Sequence, residues 1–174
     1  MKKRYFAIFL FLVSCSSSKI DYDYDRFLDF NKFKSYNYYP ELDSGMNELD
    51  DKRLMNQLDS VLQSKGFIKK DNPDLFVNFR ATRFEGASPF SVNLGFGSIG
   101  RSGGVGVSGG TPVGGASLFE VLFFDIVEAN LNELIWQARS EKRIPRETTP
   151  LKREHYFLSV VSDVFRKFPP ENSK

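Results

Sequence analysis

Two stretches of this chain repeat apolar residues at helical spacing along a single stripe. In residues 47–65 the stripe is Leu54, Leu58, Val61 and Leu62, and Gly66 stands where a helix-ending glycine is expected. In residues 151–168 it is Phe157, Val160, Val161, Val164, Phe165 and Phe168. Thr148-Thr149-Pro150 opens this second helix with a proline suited to its first position, and Pro169-Pro170 closes it. A helix with one apolar stripe has one face to bury, and here the partner is a sheet. Ile20, Tyr22 and Tyr24 alternate with Asp21, Asp23 and Asp25, and Leu75, Val77 and Phe79 alternate with Phe76, Asn78 and Arg80. That is the period of a half-buried strand. Further strands are expected at Phe33 to Tyr39, at Phe67-Ile68, and after the turn Asn72-Pro73-Asp74 in Leu75 to Phe84. Ser117 to Val127 and Asn132 to Arg139 form a pair about the turn Glu128-Ala129-Asn130. Leu118-Phe119 and Val121 to Phe124 are nearly all apolar, as in a central strand covered on both faces. The expected class is α+β, with both helices on one face of an antiparallel sheet.

The N-terminus has a different character. Lys2, Lys3 and Arg4 precede the apolar run Tyr5 to Val13, which ends in Leu12-Val13-Ser14-Cys15. A basic region, a short apolar region and a small residue before the cut make a secretory signal. The run is too short for a transmembrane helix, which needs about 20 apolar residues. The Leu-Val-Ser-Cys ending resembles the lipobox of bacterial lipoproteins, which implies cleavage before Cys15 and acylation of its thiol. A cut after Ser16 would also satisfy the small-x-small rule and would discard Cys15. The lipobox is favoured because it explains why the lone cysteine sits here. Residues 1–14 are then the signal, 15–18 a serine-rich tether, and 19–170 one domain. Two or more acyl chains anchor stably where one holds only marginally. Ser16 does not resemble the inner-membrane retention signal of enterobacteria, so by analogy the outer membrane is expected.

Processing alters the charge. Removing Lys2, Lys3 and Arg4 from the 24 basic residues leaves 21 against 22 acidic ones in a mature chain of 160 residues. No basic stripe interleaved with aromatics remains, so nucleic acid is not an expected partner. With Cys15 acylated no thiol remains, which excludes disulfides, thiolate metal sites and cysteine nucleophiles.

Residues 86–119 hold 11 of the 13 glycines and one charge, Arg101. Phe90, Val92, Leu94 and Phe96 keep strand alternation into the segment, and Val105 and Val107 resume it. Residues 86–116 read as a glycine-rich hairpin or wide loop. An uncharged strand edge is a template for pairing, so Phe90, Val92, Leu94, Phe96 and Arg101 are candidate contacts for an envelope protein partner. An idle loop is the plain alternative. The segment contains GxGxxG twice, at Gly95–Gly100 and Gly104–Gly109. A dinucleotide fingerprint needs a helix next, and here more glycine follows, so no nucleotide and no other cofactor is expected.

Few residues offer reactive chemistry. His155 is the only histidine, and no serine has a G-x-S-x-G context. Its spacing from carboxylates does not suit a metal either. Asp21, Asp23 and Asp25 fail as a calcium loop, since Arg26 and Lys32 stand where glycine and glutamate are needed. Asp50-Asp51, and Glu41 with Asp43, read as solvated cap and loop charges. The lone tryptophan, Trp136, reads as core. No catalytic, metal or cofactor residue is assigned. A binding module is expected, with an envelope hydrolase using His155 or a structural subunit of an envelope complex as alternatives.

Four segments together resemble a known family. They are Asp29-Phe30-Asn31-Lys32-Phe33-Lys34-Ser35-Tyr36; Asn72-Pro73-Asp74-Leu75-Phe76-Val77-Asn78-Phe79; Phe124-Asp125-Ile126-Val127-Glu128-Ala129 with Leu134-Ile135-Trp136; and Phe165-Arg166-Lys167-Phe168-Pro169-Pro170. Their order behind a lipobox resembles the bacterial envelope lipoproteins called domain of unknown function 4136. The chain departs from that pattern at Glu128, where the family often has aspartate, and in the long glycine insertion. The resemblance implies a curved antiparallel sheet with two helices, no established activity, and no catalytic residue.

Overall fold

A computed structural model describes residues 19–86 and 117–170. The signal, Cys15, the tether, and the expected hairpin with Phe90, Val92, Leu94, Phe96 and Arg101 lie outside the described residues. The described chain runs β1 (Lys19–Tyr24), β2 (Ser35–Tyr38), α1 (Glu48–Ser64), β3 (Ile68–Lys69), β4 (Leu75–Gly86), β5 (Ser117–Glu128), β6 (Glu133–Ile144) and α2 (Pro150–Val164). Single 3-10 turns sit at Phe30–Lys32 and Phe165–Lys167. The strands form one six-stranded sheet in the order β1-β6-β5-β4-β2-β3. The class is α+β.

The sheet expected as antiparallel is mainly so, with a parallel portion at β2. β4, β5, β6 and β1 pair antiparallel, but β2 runs parallel to both β3 and β4. The reason is α1, which carries the chain back between β2 and β4 so that both strands start from the same end. Asp74 fixes this junction. Its Oδ2 accepts from the Lys34 amide at 2.8 Å, the Ser35 amide at 2.9 Å and the Ser35 hydroxyl at 2.9 Å. Those bonds, the Lys34 amide first, hold its carboxyl below the usual range.

The helices start and stop where local chemistry directs. The Asn47 side chain accepts from the Asp50 amide at 3.0 Å, and Gly66 leaves α1 at φ +90°. The Thr149 side chain accepts from the Lys152 amide ahead of α2, with Pro150 in the first turn. α2 ends at Val164 rather than Phe168, and the 3-10 turn after it still buries Phe165. Both helices lie on one sheet face. The Tyr36 and Tyr38 hydroxyls donate to Asp59 of α1 at 2.8 Å each, while Phe124 of β5 packs edge-on against Phe165 at 5.6 Å.

No described helix covers the opposite face, although the apolar run in β5 had suggested cover on both sides. Strand neighbours shelter it instead. Phe84 stacks on Phe119 at 5.3 Å, and the Arg80 guanidinium lies over Phe123 at 4.5 Å. On this face Asp125 faces Arg80 and Asn78, and burial raises its pKa. β6 continues to Ile144, five residues past the expected Arg139.

Candidate functional site

The core stripes do not stay apolar to their ends. The buried row of α1 is Asp50, Leu54, Leu58 and Leu62, so one turn before the first leucine stands a carboxylate. The buried row of α2 begins with Arg153, one turn before Phe157. The helix-facing row of β5 begins its buried part at Glu120, ahead of Leu122, Phe124 and Ile126. These three charges meet at the end of the core where both helices begin.

Their geometry leaves little freedom. Arg153 binds Glu120 in a fork, Nη1 to Oε2 at 2.8 Å and Nη2 to Oε1 at 2.7 Å, and its Nε reaches Asp50 Oδ2 at 2.9 Å. Arg83 on β4 donates Nε to Glu120 Oε1 at 2.7 Å, and Arg53 donates to Asp50 Oδ1 at 3.0 Å. Glu120 is 0% exposed, Asp50 4% and Arg153 5%. The Arg153 guanidinium also lies over the Phe157 ring at 4.3 Å and the Tyr156 ring at 4.8 Å. Burial works against its charge, but the Glu120 and Asp50 carboxylates prevail and hold its pKa above the ordinary arginine value. Burial, then the charge of Glu120, pushes the Tyr156 phenol well above its usual value, so it stays neutral and can donate.

A cleft of about 550 Å³ opens above this cluster. Its lining includes the cations Arg53, Arg83, Arg146, Lys152 and Arg153 and the apolar residues Leu118, Ile144 and Pro145. Arg146 is paired at the rim with Glu85 at 2.7 Å. Arginine does not deprotonate in proteins, and both buried carboxylates are held by guanidinium groups. The arrangement suits holding a negative group in place rather than moving a proton.

Asp50 thus corrects the expectation of a solvated cap charge. Glu120 and Arg153 were not singled out in the sequence, yet each carried a signal. Glu120 interrupts an otherwise apolar run, and extending the α2 stripe back by one turn lands on Arg153. Trp136 is core, 1% exposed and packed on Phe165 and Phe168 at 5.2 and 5.1 Å. His155 is exposed on α2 and does not line the cleft. Among the described residues no group of three His, Cys, Asp or Glu is placed to hold a metal ion. No described helix is long and apolar enough to cross a membrane.

The family described as Domain of unknown function (DUF4136) matches residues 20–170. No curated protein matches the chain. Among solved structures, a PDZ domain protein from Parabacteroides distasonis ATCC 8503 is similar, with a TM-score of 0.55 and 14% identity. That match covers 88% of this chain but only 35% of the other, so this chain spans about a third of that protein's length. A PelC dodecamer from Paraburkholderia phytofirmans is similar at a TM-score of 0.44 and 11% identity, over 86% of this chain and 95% of its own. The first likeness is one of fold.

Proposed function

This chain belongs to the Domain of unknown function (DUF4136) family, and we propose that it is a lipid-anchored protein of the bacterial cell envelope. It is held through Cys15, on the outer membrane, and works by binding or assembly rather than catalysis. The lipobox ending Leu12-Val13-Ser14-Cys15 supports the anchoring, and β1 begins at Lys19, four residues after its cysteine. At about 3.3–3.6 Å per residue, Cys15 lies no more than about 14 Å from the folded domain. A tether that short suits a module working against the membrane surface. The locked charges beneath the cleft favour binding over proton transfer, and exposed His155 is not aimed into it.

The decisive experiment replaces Cys15 with alanine and combines metabolic acyl labelling with fractionation. Loss of label and release from membranes are expected; a variant that still labels and sediments with membranes overturns the anchor. A His155→Ala protein should keep its cellular role. If it folds normally and loses that role, a hydrolytic function returns.

A further inference from the structure

The cleft and the start of β1 share one end of the domain. β1 runs antiparallel to β6, with Lys19 opposite Glu141, three residues before Ile144 at the cleft. The backbone direction at Lys19 therefore leads upstream toward the cleft end. The starts of α1 and α2 lie there too, and each presents a leucine to solvent, Leu49 at 62% and Leu151 at 61% exposure. Charge among the residues that line the cleft is unbalanced. Five cations line the cleft, against Asp50 in its wall, Glu120 beneath it and Glu85 on Arg146. Lys152 is exposed, lines the cleft and is not tied into the buried network. It also stands in the first turn of α2, which holds no acidic residue, so its charge opposes the helix dipole.

We propose that the cleft binds the phosphate of an anionic membrane lipid, with the exposed leucines resting on the acyl boundary. The cation excess selects a net negative headgroup, and the apolar lining residues Leu118, Ile144 and Pro145 accept the glycerol backbone and the first methylenes. The choice of a lipid over a soluble phosphoester rests on the anchored reading above, since the tether sets this end against the bilayer. The binding chemistry itself does not depend on it.

The test is a titration of the full chain, purified in a neutral detergent, followed by thermal melting. The probes are dihexanoyl phosphatidylglycerol, dihexanoyl phosphatidylcholine and glycerol phosphate. Phosphatidylglycerol should raise Tm by several degrees at saturation, with the other two shifting it far less. Lys152→Glu should lower affinity for phosphatidylglycerol about tenfold or more. The same variant should melt higher than the parent without lipid, because the new carboxylate suits the helix start. Equal shifts with glycerol phosphate would overturn the lipid assignment. No shift with any probe, or an unaltered affinity in Lys152→Glu, would overturn the site. Because the assay uses solubilised protein, its failure is distinct from failure of the Cys15→Ala fractionation.

Discussion

The core of this protein closes differently at its two ends. Where the helices begin, Asp50, Glu120 and Arg153 fill space that leucines fill elsewhere. Where α2 ends, the closure is aromatic: Phe168 sits 5.1 Å from Trp136, 5.7 Å from Phe165 and Phe67, and 6.2 Å from Phe30. Rings interact with whatever apolar surface meets them, so that end loses stability in proportion to what is removed. Buried ions depend on each other, and removing one leaves its partners charged and dry. The aromatic end is therefore stabilised by area, the ionic end by completeness.

The largest expected effect comes from leaving the ionic end incomplete. Arg153→Met should cost about 3–5 kcal/mol in denaturant unfolding, because Glu120 and Asp50 lose their buried partner. Replacing the three most buried members together, as Asp50→Leu, Glu120→Leu and Arg153→Met, should recover much of that loss, since Arg53 and Arg83 keep access to water. A triple variant no better than the single would show that the ions supply stability that apolar side chains of similar size cannot replace. At the other end Phe168→Ala should cost about 3–4 kcal/mol, and Phe168→Leu under about 1.5 kcal/mol. Equal losses from the two would erase the contrast.

Smaller effects sharpen it at single carboxylates. Asp74→Asn should cost about 1–3 kcal/mol at neutral pH by weakening three bonds that seat β2. The sign with pH follows from its depressed pKa. The contribution of Asp74 is complete above the unfolded value near 3.8 and is lost as pH falls through the lower folded value. Melting below about pH 4 should therefore separate wild type from Asp74→Asn less than melting at pH 7. Smallest of all, Asp125→Asn should raise Tm slightly at neutral pH, since burial there disfavours the charged form. A lowered Tm would make Arg80 the stronger influence on that carboxylate.

Much of the architecture was legible because it rests on periodicity. The stripes located both helices, Gly66 and Pro150 marked their ends, alternation placed β1 and β4, and a nearly continuous apolar run placed β5. The parallel entry of β2 was harder to see. Only four residues, Ser35–Tyr38, form the strand, and its direction is set by α1 rather than by its own side chains. The last five residues of β6, Ser140 to Ile144, hold no apolar residue before Ile144, so alternation gives no mark there. The cleft was missed for a related reason. Apolar stripes identify a core by what is hydrophobic, and Asp50, Glu120 and Arg153 occupy core positions with charges. Only their register within each stripe betrays them.

The pairing of β1 with β6 has a consequence for how the chain reaches its final state. Lys19 meets Glu141 and Tyr24 meets Trp136, partners more than a hundred residues later. A chain that emerges N-terminus first delivers β1 long before any of β6 exists. The hairpin of β5 and β6 can zip locally, but β1 must wait for a long-range closure, which is slow. Asp21, Asp23 and Asp25 suit that interval, since an acidic strand resists pairing with its neighbours while unclaimed. On loop-closure cost alone, the first strand made is expected to be among the last placed, so that the domain gains its outer edge late in folding.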